Sequence, residues 1–184
     1  MTARDLTRSD SEKKTRGALL ALGLGIAVLT LFLDQASKWA ILTQVMVPPR
    51  VIEVLPVFNL VLTFNQGVSF GLFSGEADWQ PYLLSALALV ISIGLFTWLA
   101  RQPSVHLAVA VGLIAGGAIG NVIDRLRIAA VVDFLDFHWG DWHWPAFNLA
   151  DSAITLGVVC ILLVDILFDG GAKAKVKAGK EEDR

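Results

Sequence analysis

Four apolar stretches constrain this chain more than anything else in it. Each approaches or reaches the roughly 20 residues that a helix needs to cross the hydrocarbon core of a bilayer. The first opens at Gly17 with GALLALGLGIAVLTLFL and runs through a polar break, DQASK, into WAIL. The second, Pro81 to Ala100, carries no charge, the third runs from about Val105 to Ile123, and the fourth from Phe147 to Phe168. Backbone groups in lipid must be satisfied internally, so these segments are predicted as helices. The expected fold is an all-α polytopic membrane protein of four transmembrane helices. A hydrophobic content of 55% over 184 residues agrees with one membrane domain rather than a soluble one.

Lys and Arg set the orientation, because short flanking segments rich in them stay in the cytoplasm. Of the 15 such residues, Arg4, Arg8, Lys13, Lys14 and Arg16 precede the first span. Arg101 sits in the turn after the second, and Lys173, Lys175, Lys177 and Lys180 follow the fourth. Residues 1–16 and 169–184 are therefore expected as cytoplasmic tails around a membrane domain at 17–168. No small-residue cleavage site follows the first apolar run, where Asp34 and Lys38 appear instead, so the first span is expected to be an uncleaved helix rather than a signal peptide. Basic residues confined to tails argue against nucleic acid as a partner and for contact with membrane lipid. Cys160 has no second cysteine to pair with.

Two segments then fall on the outer side. Residues 43–80 are rich in Val and Phe, punctuated by Pro56, Gly67 and Gly71, and are expected to form a small β-element on the membrane that holds a substrate segment. Residues 126–146 are expected as an outer loop. Trp39, Trp79, Trp139, Trp142 and Trp144 lie in or beside these segments, as an interfacial aromatic belt would.

Ionisable residues inside a membrane are costly, so each is a candidate for function. Gly112, Gly116 and Gly120 recur every four residues in the third helix, a stripe that lets a neighbouring backbone approach closely. Asn121 and Arg125, four apart, share the face that follows, and Asp124 reads as a structural carboxylate. Asp133 is expected at the outer end of the third helical region and Asp151 one turn into the fourth helix. The two helices are antiparallel, so the carboxylates can meet at similar depth. Paired aspartates do not both ionise easily, which leaves one charged and one protonated, the arrangement of an aspartic protease. Separate interfacial or helix-capping aspartates would satisfy the same spacing.

Two other chemistries compete. Asp133, Asp136, His138, Asp141 and His143 crowd together, but HWGDWH has no i, i+4 histidine pair and suits a surface loop, so no metal or other cofactor is expected. A transporter relaying ions through Asp34, Asp124 and Asp151 would spread polar residues through the membrane depth, whereas most of these cluster toward one face. Asp165 is the exception. A non-catalytic scaffold is the third reading.

DQASK, NQGVSF, GGAIGNVIDR, VVDF and FNLADS, in that order between Asp34 and Ser152, resemble the five sequence blocks of the lipoprotein signal peptidase (signal peptidase II) family. The one departure is Ser69, where the family's NxGxAF block has alanine. The resemblance implies an aspartyl endopeptidase that cuts diacylglyceryl prolipoproteins just before the lipidated cysteine. It implies a bacterial inner-membrane location, an active site near the periplasmic face and inhibition by globomycin. It puts the catalytic pair on Asp133 and Asp151. Supporting or substrate-contact roles fall on Asp34, Lys38, Asn65, Gly116, Asn121, Arg125 and Asn148.

Overall fold

The computed structural model describes the backbone of residues 3–67, 79–164 and 166, and the side chains within those ranges from residue 12 onward. Helix α1 runs without a break from Ala3 to Ala40 and ends in a π-helical turn, Ile41–Val45. Residues 3–16, expected as a tail, thus form its first turns. Helix α2 spans Gln80–Arg101, with Pro81 in its first turn, where the missing N–H leaves no helical bond unmade. Helix α3 spans Val105–Ile128; Ser104 Oγ accepts the Leu107 N–H at 3.2 Å at its start. Ala129, in the left-handed region at φ 54°, ends it. Helix α4 spans Leu149–Val164.

Glu12–Val45, Gln80–Arg101 and Val105–Ile128 are long and apolar enough to cross a membrane; α4 is apolar but shorter over its described 16 residues. The fourth apolar stretch beyond Ile166, the NQGVSF block beyond Gly67 and the C-terminal tail lie outside the described residues, as do Ser69, Gly71 and Asp165.

Helix α3 is the centre of the bundle. Its residues from Leu107 to Asp124 are largely buried, while α1 and α2 turn Leu24, Phe32, Val90 and Ile93 outward, where lipid tails would solvate them. Missing side chains set the spacing. A Cβ at Gly112 would lie 2.7 Å from the Gly23 carbonyl oxygen, and one at Gly116 2.5 Å from that of Ala27, so the stripe brings α3 onto the α1 backbone. Gly120 meets the Asp34 carboxylate in the same row. Gly117, on another face, would meet the Ala150 carbonyl oxygen at 2.5 Å and lets α4 in as closely.

The outer segments differ from expectation. Residues 126–146 are not a loop: α3 continues to Ile128, five residues past its expected end, and strand β3, Val131–Trp139, follows almost at once. With β1 (Ile52–Leu55), β2 (Phe58–Asn65) and β4 (Trp142–His143) it forms one antiparallel sheet in the order β1-β2-β3-β4. The β-element thus draws strands from both outer segments. HWGDWH is the hairpin between β3 and β4, turning at Gly140 with φ 59°. Phe134 packs against Ile41 and Met46, with Ile52, Leu60 and Leu62 around them, so the π-helical turn supports the sheet. Phe58 and Phe137, paired across the strands, bring their rings to 4.9 Å at a tilt of 38°.

Candidate functional site

Asp133 does not sit at a helix end. It is the third residue of β3, 1% exposed. Alternation turns it away from the Phe134 face, toward the ends of α3 and α4. Its cross-strand partner is Thr63, and the register shifts between Leu60 and Thr63: three steps along β2 match two along β3, from Leu135 to Asp133. That extra residue decides the site. Without it, Thr63 and Asn65 would face the other side of the sheet; with it, both share the face of Asp133. Asn65 Nδ2 donates to Asp133 Oδ2 at 2.9 Å. Its own Oδ1 accepts the Gly67 N–H at 2.9 Å, which fixes the amide in that sense.

Asp151 lies in the first turn of α4, and Asn148 immediately precedes that helix. The two cap it reciprocally. Asn148 Oδ1 accepts the Asp151 N–H at 2.9 Å, and Asp151 Oδ2 accepts the Asn148 N–H at 3.3 Å. With its oxygen engaged there, the Asn148 amide directs Nδ2 to Asp133 Oδ1 at 2.7 Å and to Asn121 Oδ1 at 3.2 Å. Asn121, from α3, donates through Nδ2 to Asp151 Oδ1 at 2.8 Å. Asn148 and Asn121 thus join the two aspartates into one network drawn from β3, α3 and α4.

A second cluster underlies the first. Lys38 Nζ reaches Asp34 Oδ2 at 2.9 Å, Asp124 Oδ2 at 2.7 Å and Asn121 Oδ1 at 2.9 Å. Asp34 Oδ1 also accepts the Ala150 N–H at 3.0 Å, and Asp124 Oδ2 that of Val132 at 3.2 Å. Asp34, Lys38, Asp124, Asn121 and Asn148 are all buried. Gln35 belongs here too, donating through Nε2 to Asp34, to Asp124 at 3.1 Å and to the Gly120 carbonyl at 3.1 Å. Sequence reasoning passed over it; its place beside Asp34 in DQASK was the available signal. Gly112 and Gly116 stand apart and act in helix packing. Arg125 lies in the field of Asp151, Asp124 and Asp133, and its buried Nε has no hydrogen-bond partner among the described residues.

Burial pushes the Asp133 carboxyl up to about 6, and the neighbouring charge of Asp151 adds to this; the hydrogen bonds from Asn65 and Asn148 pull the other way. A groove of about 310 Å³, lined by Thr63, Phe64, Asn65, Gly67, Asp133 and Pro145 among others, opens beside it.

Asp136 and His143 are separate from this site. Asp136 accepts from Asn59 Nδ2 at 3.1 Å and lies 2.9 Å from His143 Nδ1. Burial pushes its carboxyl up, but these contacts outweigh it and the net direction is down. Among the described residues, no three His, Cys, Asp or Glu side chains are grouped to hold a metal ion.

The family model described as signal peptidase (SPase) II matches residues 26–168. The lipoprotein signal peptidase of Burkholderia thailandensis is 41% identical over 161 residues, covering 87% of this chain and 96% of that one. That of Polynucleobacter necessarius subsp. necessarius is 42% identical over 155 residues, 83% of this chain and 93% of its own. A solved structure described as a bacterial membrane enzyme, determined by the in meso method at 1.9 Å resolution, superposes with a TM-score of 0.68 at 32% identity, covering 80% of this chain and 93% of that chain. The match spans the bundle, the sheet and both aspartates, and the chain belongs to the signal peptidase II family.

Proposed function

We propose that this chain is an aspartic endopeptidase that removes the signal peptide from diacylglyceryl-modified prolipoproteins, cutting on the N-terminal side of the lipidated cysteine. Family membership and its relatives' lipoprotein signal peptidase activity support the substrate class. The observation that carries the mechanism is the network joining Asp133 to Asp151 through Asn148 and Asn121. Asp133, with its raised pKa, holds the proton and donates it to the scissile carbonyl oxygen as charge develops there. Asp151 takes a proton from water, whose oxygen attacks the carbonyl carbon; as the tetrahedral intermediate collapses the C–N bond breaks, that proton goes to the leaving amine, and a hydroxyl of the intermediate returns a proton to Asp133. The supporting residues are Asp34, Lys38, Asn65, Asn121 and Asn148. Arg125, whose Nε has no hydrogen-bond partner among the described residues, is the candidate for substrate contact.

The chain is a multi-pass protein of the bacterial inner membrane in this reading. α4 completes a fourth span and both termini are cytoplasmic. The groove beside Asp133 then opens at the periplasmic face, where a signal peptide ends and its lipid stays in the bilayer. Globomycin is the expected inhibitor.

The test is cleavage of a diacylglyceryl prolipoprotein by the purified protein, followed by the size of the product. Asp133→Asn and Asp151→Asn should each abolish cleavage while the protein stays folded in detergent. Full activity in either variant would sink the pair. EDTA should leave cleavage unchanged, and a loss that zinc restores would replace this mechanism with a metal-dependent one.

A further inference from the structure

An ammonium group has three N–H donors, and those of Lys38 are all engaged. Two go to carboxylates, Asp34 and Asp124, and these already supply more than the counter-charge that a buried lysine needs. The third goes to an uncharged acceptor, Asn121 Oδ1 at 2.9 Å. Charge balance does not require that contact. Its effect is directional, because the oxygen and nitrogen of a side-chain amide point opposite ways, so whatever holds the oxygen aims the nitrogen. Together with the Asn148 Nδ2 donor on the same oxygen at 3.2 Å, this contact aims Asn121 Nδ2 at Asp151 Oδ1, 2.8 Å away. Turned half a revolution, the same amide would set N–H against N–H at Lys38 and oxygen against carboxylate at Asp151. The Lys38 and Asp34 side chains are 3% and 0% exposed, so the clash at Lys38 is set in a buried site, while Asp151 is half-buried. Asp34 fastens the arrangement to α4 as well, through the Ala150 N–H.

We propose that Lys38 is a positioning residue for Asp151, acting through Asn121: its third N–H, the shorter and charged of the two donors on Asn121 Oδ1, holds the amide orientation in which Asn121 donates to that carboxylate. The inference rests on the reading of Asp151 as the group that activates water. A lysine that only neutralises Asp34 and Asp124 would matter for folding and leave turnover untouched. A positioning lysine changes turnover in folded protein, and only while Asn121 can respond.

Asn121→Asp separates these roles, since it keeps an oxygen for Lys38 but loses the N–H toward Asp151. Four proteins are compared in detergent on lipidated prolipoprotein: wild type, Asn121→Asp, Lys38→Gln and the double variant. For each, kcat, KM, the pH profile of kcat and the melting temperature are measured. Asn121→Asp should lower kcat by roughly 100-fold, the scale of a misplaced catalytic group, with KM within about two-fold. Lys38→Gln should lower kcat in the wild-type background and lower it no further in the Asn121→Asp background, while the losses in melting temperature add. Kinetic losses that multiply, or wild-type kcat and pH profile in folded Asn121→Asp, would overturn the proposal. If Lys38→Gln does not fold alone, the same comparison is made in an Asp124→Asn background, where a buried carboxylate leaves with the cation. Asp151→Asn keeps the two readings apart. If it is inactive while Asn121→Asp is fully active, only the positioning role fails; if Asp151→Asn is itself active, the pair fails.

Discussion

Asn65 reaches Asp133 because β2 carries one residue more than β3 between their Leu60–Leu135 and Thr63–Asp133 pairings. The hydrogen bond favours the ionised carboxylate. Asn65→Ala should therefore let the Asp133 carboxyl rise further above 6, and the falling limb of kcat/KM against pH should move upward. A charged hydrogen bond contributes about 1.5 kcal/mol or more, so the displacement should be about one pH unit. An unmoved limb in an active variant would show that Asn65 does not act on this carboxylate.

Asp133 also makes stability depend on pH, with a sign that follows from burial. Its pKa is higher in the folded protein, about 6, than its ordinary value of 3.8. Folded protein therefore keeps the proton longer, and stability is fully present below about pH 4 and lost as pH rises through 6. The full effect is about 3 kcal/mol. Asp133→Asn removes the ionisation, so its melting temperature should gain on wild type between pH 4 and 6.5 and run parallel to it above. A difference that stays constant across that window would contradict the raised value.

Asp124 accepts from Lys38, Gln35 and the Val132 backbone. Replacing it by Asn puts an amide N–H where at least one donor now points. Breaking a buried pair costs about 3 kcal/mol. The expected outcome is a marked fall in melting temperature and a smaller fall in kcat per folded molecule, and equal stability with no activity would reverse that assignment.

The α1–α3 contact gives a test that involves no charge. A Cβ at Gly116 would meet the Ala27 carbonyl oxygen at 2.5 Å, whereas one at Gly94 would meet nothing within 4 Å. Gly116→Ala should cost about 1 to 3 kcal/mol, the usual range for overpacking. Gly94→Ala should be neutral or slightly stabilising, because alanine favours the helix. Thermal unfolding in detergent separates the two, and equal melting temperatures would mean the helices part without cost.

The three long spans were legible from the length of their apolar runs, and the polar residues of the network from their isolation within or beside those runs. The strand carrying Asp133 was not. Val131, Val132, Asp133 and Phe134 are all buried, so β3 shows no alternation of apolar and polar residues by which a half-exposed strand is recognised. The extra residue in β2 leaves no mark either, since Val61 and Leu62 suit a regular strand as well as a bulged one. Gln35 was hidden by its neutrality beside the charged Asp34 and close to Lys38. The early start of α1 was masked by the charges of its first turns, which end an apolar run without ending a helix.

The pairing of β2 with β3 joins segments that enclose α2 and α3. Asn65 is synthesised early and waits for two more helices before its partner exists, and Asp151 follows later still. A ribosome-bound intermediate therefore has no assembled Asp133–Asp151 network at any length short of α4, and under the proposed mechanism the chain gains the means to cut a peptide only once that helix has been laid into the bundle.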